Sequence, residues 1–140
     1  MKKITLSGRY KNLVKISEFV RQAAQEAKLD GFAIYSVETA VEEACANIIE
    51  HAYDGEGRGD IECSCEVNDS GLVVCLHDHG KPFNPETVHE PNLHVSLKKR
   101  KSHGLGLFIM RQWMDEVKFD FSPDRGNLLT MVKYKERKAG

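Results

Sequence analysis

Apolar residues recur at Leu13, Ile16, Val20, Ala23 and Ala27, the spacing of one helical face, and Gly31 stands just beyond them as a stop. A first amphipathic helix is therefore predicted, preceded by a short strand over residues 3–7. A second helix is predicted over 36–53, with Val41, Cys45, Ile48 and Ala52 on one side and Glu43, Asn47 and Glu50 on the other. Being four residues apart, Glu43 and Asn47 point the same way. Turn-forming residues fill 54–60. Alternating and then continuous apolar positions over 61–67 and 72–78 predict a hairpin around Asn68-Asp69-Ser70-Gly71. From Pro82 to Lys101 no period is visible, and the stretch ends in the basic run Lys98-Lys99-Arg100-Lys101, which reads as a long loop. A third helix is predicted over 103–117, with Leu107, Met110, Met114 and Val117 on its apolar side and Ser102 as N-cap. Strands over 116–121 and 128–134 flank the turn 123–127, and the polar end 135–140 is expected to fray. Helices gathered on hairpin-connected strands predict an α+β layer, a mostly antiparallel sheet with helices on one face.

Composition narrows the function classes. A chain of 140 residues has the length of a single domain, 1–140, with one core. Twenty basic residues against twenty-one acidic ones give a net charge of -1, so no global field draws the chain to nucleic acid or to an anionic membrane. The run Leu72-Val73-Val74-Cys75-Leu76 is far too short to span a bilayer, and the N-terminal residues lead into no secretory apolar core, so a cytoplasmic location is expected. Cys45, Cys63, Cys65 and Cys75 form no C-x-x-C pair. Cys63 and Cys65 fit the apolar face of a strand, as reduced, buried thiols. A metal site at His77 and His79 is not expected, on the reading that the two rings point to opposite sides of the strand and that no third ligand is near in sequence. Phe108 and Trp113 read as packing residues.

Three short stretches carry chemistry when taken in order. Glu43-Ala44-Cys45-Ala46-Asn47 offers an acid and, one turn later, a neutral amide oxygen suited to a hard cation. Asp78-His79-Gly80 places an acceptor at a strand end. Gly104-Leu105-Gly106 opens a predicted helix, where unpaired backbone N–H groups and the helix dipole favour phosphate. Together these are the parts needed to hold Mg-ATP. Each alone has a plainer reading: solvated helix surface, a strand-ending turn and a loosened helix start.

Glu43 to Tyr53, the run Asp78-His79-Gly80-Lys81-Pro82-Phe83-Asn84-Pro85 and Ser102 to Met110 resemble the N, G1 and G2 boxes of the GHKL ATPase superfamily. Within it, the chain looks most like the anti-sigma-factor serine kinases of the RsbW and SpoIIAB type. The resemblance implies a two-layer α/β sandwich of the Bergerat, histidine-kinase-like ATPase type, covering nearly the whole chain, with a lid at about 86–102. It further implies Glu43 as general base, Asn47 as the Mg2+ ligand, Asp78 as acceptor from the adenine amine, and Gly80 as the point where backbone closes over the base. Gly104, Leu105 and Gly106 would lie at the phosphates, with Ser102 and His103 standing where many members carry further small residues. Thr130 would lie near the nucleotide, and Arg100 in the lid would meet the terminal phosphate. The implied activity is ATP-dependent phosphorylation of a serine on a STAS-domain anti-sigma-factor antagonist, with a sigma factor as second partner, homodimerisation, and no direct nucleic-acid or membrane contact. A histidine kinase would need a phosphoacceptor helix pair for which the chain has no room. The alternative of another class is a non-catalytic ATP-binding module that sequesters a partner protein.

Overall fold

The computed structural model of the protein describes residues 1–83 and 110–135. Its elements are β1 (Lys2–Ser7), a 3-10 turn (Tyr10–Asn12), α1 (Leu13–Glu26), α2 (Gly31–Asn47), a π-helical segment (Ile48–Ala52), β2 (Asp60–Asn68), β3 (Gly71–Asp78), β4 (Glu116–Ser122) and β5 (Gly126–Tyr134). The predicted lid at 86–102, Arg100, Gly104, Leu105, Gly106 and Phe108 lie outside the described residues.

The strands form one antiparallel sheet in the order β1-β2-β3-β5-β4. Alternation decides its two faces. On β2, Ile61, Cys63 and Cys65 are buried while Glu62 and Ser64 are only half covered, and on β3 and β5 the buried apolar side chains are Leu72, Val74, Leu76, Leu129 and Met131. These inward side chains join Ile16, Val20 and Ala24 of α1 and Val37, Val41 and Cys45 of α2 in one core. Burial pushes the Cys45 thiol up to about 12, with nearby Glu42 adding to the effect, so it stays a neutral, packed thiol. All four cysteines are free.

The β2–β3 hairpin closes through Asn68, whose Oδ1 accepts from Ser70 N at 2.8 Å and Gly71 N at 2.9 Å. Gly71 is required there. Its φ is +151°, and a Cβ would stand 2.2 Å from the Lys133 carbonyl oxygen on β5.

Three sequence expectations give way. Gly31 is the first residue of α2 rather than the stop after α1. Lys28, at φ 60°, turns the chain out of α1 while Leu29 N donates to Ala24 O at 3.1 Å, and Asp30 then caps α2 by accepting from Ala33 N at 2.8 Å. Ser36, the expected start of that helix, lies inside it and donates to Phe32 O at 2.8 Å. At the other end, helical residues 110–113 stop before Met114. Val117 is a β4 residue, because Asp115 N already donates to Val132 O at 2.9 Å.

Candidate nucleotide-binding site

Asn47 is the last residue of α2 and is 3% exposed, not on the solvated side that the periodicity suggested. Ala40, Val41, Ala44 and Cys45 form the buried face of this helix and Asn47 falls at its edge, while Phe32, Tyr35 and Glu42 are exposed. The next five residues run as a π-helix, which adds a residue to the turn and changes the direction of everything after it. Among the described residues, Asn47 Oδ1 is a buried acceptor with no hydrogen-bond donor. Leaving an acceptor dry and unpaired costs about 1–3 kcal/mol, so its retention points to something that fills it.

Asp78 ends β3 beside Asn127 of β5, its register partner. Gly80 N donates to Asp78 Oδ1 at 2.9 Å and Asn127 Nδ2 donates to the same oxygen at 2.8 Å. Asn127 also reaches Gly80 O at 3.1 Å and Lys81 O at 3.3 Å, so one buried amide fixes both the carboxylate and the loop that follows it. Burial raises the Asp78 pKa from its ordinary value. The bonds from Gly80 and Asn127, then the charges of His77 and His79, act in the opposite direction.

A small, partly open cleft joins the two groups. Ala44, Asn47, Asp78, Phe83, Phe119 and Phe121 are among its walls. Phe119 and Phe121 stack with centroids 6.2 Å apart, Phe83 lies 6.1 Å from Phe121, and the Arg111 guanidinium sits 5.9 Å above the Phe119 ring. Apolar and aromatic walls with two buried polar groups can hold a flat heteroaromatic ring by its faces and read one edge of it.

Gly80 has a packing reason of its own: a Cβ there would lie 2.5 Å from Ala52 O, so the loop can meet the π-helical segment only without a side chain. Glu43 is half-buried one turn before Asn47, but is not among the residues lining the cleft. Thr130 is not brought to the cleft at all. It pairs with Cys75, with Thr130 Oγ1 3.7 Å from Cys75 Sγ, on the face opposite to buried Leu129. A strand alternates its faces, so the choice of Thr130 is off by an odd number of residues from the one that arrives, Asn127. Asn127 was hidden in the sequence as a Gly-Asn turn pair. Phe119 and Phe121 could have been found from their period of two on β4.

His77 and His79 lie on the same side, with ring centroids 4.6 Å apart, as residues two apart on an extended chain must. His77 Nε2 is 2.5 Å from Arg125 O. Trp113 packs against Phe32 and Tyr35 of α2 at 5.5 and 5.7 Å. Among the described residues, no three of His, Cys, Asp and Glu gather to hold a metal, and no helix is long and apolar enough to cross a membrane.

The fold and this cleft define a class. Residues 6–133 match the model of the histidine kinase-like ATPase domain, and the chain belongs to that family. It is 29% identical over 99 residues to the anti-sigma F factor of Bacillus licheniformis, covering 70% of this chain and 67% of that protein. It is 32% identical over 108 residues to the serine-protein kinase RsbW of Halalkalibacterium halodurans, covering 74% and 64%. With the anti-sigma F factor of Caldanaerobacter subterraneus subsp. tengcongensis it shares 32% identity over 115 residues, covering 80% and 79%. Among solved structures, the catalytic domain of the histidine kinase ThkA superposes with a TM-score of 0.54 at 14% identity, over 96% of this chain and 99% of that one. That likeness fixes the fold as the α+β sandwich of histidine kinase catalytic domains.

Proposed function

We propose that the chain is a single-domain, ATP-dependent serine/threonine protein kinase of the anti-sigma type, acting inside the cell as a homodimer. Its substrate would be a serine on a STAS-domain antagonist, and its other partner a sigma factor that it sequesters. The observation that carries the reading is the pair at the two ends of one cleft: the unpaired, buried Asn47 Oδ1 and the buried Asp78 carboxylate, whose two protein donors sit on one oxygen.

Asp78 Oδ2 is then the acceptor for an exocyclic amine, which adenine offers and guanine does not at the corresponding position. Phe83, Phe119 and Phe121 supply the apolar walls for the base. Asn47 fits Mg2+: a neutral oxygen in a dry setting suits a hard cation that takes most of its remaining ligands from phosphates and water. When bound, Mg2+ supplies charge neutralisation and orientation of the phosphate chain. Glu43 accepts the proton of the attacking serine hydroxyl, a role worth about two to four orders of magnitude in rate. Arg100, within the expected lid at about 86–102, and Gly104, Leu105 and Gly106 keep the phosphate roles that the sequence resemblance implies.

One observation favours the second reading, a binding module without turnover: Glu43 does not line the cleft that Asn47 and Asp78 share. Calorimetric titration with ATP, with and without Mg2+, tests what the two readings have in common. Wild type should bind Mg-ATP and Asp78→Asn should not. Wild-type protein without affinity for Mg-ATP would refute both.

A further inference from the structure

Tyr53 closes the π-helical segment and makes two bonds through one atom. Its hydroxyl accepts from His79 N at 2.9 Å and donates to Asp60 O at 2.7 Å. Burial, together with the nearby Asp78 and Asp60 charges, raises the Tyr53 pKa from its ordinary value, outweighing the bond from His79, so the hydroxyl keeps the proton it donates.

The ring is seated deliberately. A Cβ on Gly59 would stand 2.2 Å from Tyr53 Cε1, so the turn before β2 admits the ring only because glycine occupies that position. The neighbouring Ala52 holds the same loop: Lys81 N donates to Ala52 O at 2.9 Å, and Gly80 packs against that carbonyl. Residues 79, 80 and 81 are thus gripped in succession by Ala52 and Tyr53.

From this geometry we infer that Tyr53 is a positioning residue for base recognition: by fixing the peptide between Asp78 and His79, its hydroxyl sets the aim of the Asp78 carboxylate. The link is short. Gly80 N, two residues beyond Asp78, bonds back to Asp78 Oδ1, so any rotation of the 78–79 peptide moves the donor that orients the carboxylate. The same side chain stands six residues after Asn47, across the π-helical segment, and so ties the amide end of the cleft to the acid end. The inference rests on the proposed nucleotide reading, in which Asp78 meets adenine.

The test compares wild type with Tyr53→Phe, which keeps the ring against Gly59, and with Tyr134→Phe, which loses a hydroxyl bond to Glu116 at the far end of β5. Affinities for Mg-ATP and Mg-GTP, melting temperatures and amide exchange at His79 are measured on all three. Tyr53→Phe should weaken ATP by about tenfold, the worth of one hydrogen bond acting through a charged partner, with GTP affinity unchanged within about twofold. His79 exchange should be slow in wild type and faster in the variant, and Tyr134→Phe should change none of these. An unchanged ATP-to-GTP ratio, a parallel loss of both nucleotides, or an unprotected His79 amide in wild type would overturn the inference. The exchange readout on wild type stands even if the variant folds poorly. Failure of wild type to bind ATP would remove the nucleotide reading and this inference together, whereas wild-type binding with an indifferent Tyr53→Phe would remove the inference alone.

Discussion

Asn127 Nδ2 lies 2.8 Å from Asp78 Oδ1, and both side chains are buried, at 4% and 3% exposure. A buried carboxylate whose hydrogen bonds among the described residues come from two neutral donors is a stability cost kept for use. Its folded pKa is raised, so the native state gains from this group below the unfolded value near 3.8 and loses that gain as pH rises through the folded pKa. Asp78→Asn should therefore raise the melting temperature at pH 7, and the advantage should shrink as pH falls towards about 4. The same variant should lose ATP. A lower melting temperature at pH 7 would mean that the carboxylate pays its way in the apo fold.

Asn47 allows the matching test at the other end. Asn47→Leu replaces an unsatisfied buried acceptor with an apolar side chain of similar size, so the unliganded protein should melt at the same temperature or higher, a change of up to about 1–3 kcal/mol in its favour. The rise in melting temperature that Mg-ATP gives to wild type should disappear. Thermal shift with and without Mg-ATP reads both. A variant less stable without ligand would show that Asn47 Oδ1 has a structural partner in solution.

Thr130→Ala should leave Mg-ATP affinity within about twofold of wild type, because the side chain stands on the open face of the sheet beside Cys75. Asn127→Ala should weaken it by about tenfold, since the lost donor faces a charged group. Calorimetry on the pair decides which β5 residue serves the cleft. The reverse order would place the nucleotide on the other face.

The hairpin over β2 and β3 was legible because its signals are local: Asn68 and Gly71 make the turn, and every second residue of β2 is apolar. Asn47 and Asp78, which the first two motifs put at one expected site, line the same cleft. The start of α2 was not legible, because Gly31 serves equally as a stop or as a first turn, and only the Asp30 cap decides. The depth of Asn47 was hidden by alanines and a cysteine around it, which a polar-versus-apolar pattern undercounts. Asn127 reached the site through strand pairing with a residue 49 positions away, which no local period reveals. The histidines were misplaced by an arithmetic of faces: two residues along a strand return to the same side.

Serine kinase activity is the central claim, and phosphate transfer measures it most directly. The wild-type chain and Glu43→Ala are incubated with Mg2+, γ-labelled ATP and a STAS-domain antagonist from the same organism, and label on the antagonist serine is followed in time. Wild type should transfer the phosphate, and Glu43→Ala should bind ATP as tightly while transferring about two to four orders of magnitude more slowly. A wild-type protein that binds both ATP and the antagonist yet leaves the serine unlabelled would contradict the claim and establish the chain as a sequestering module instead.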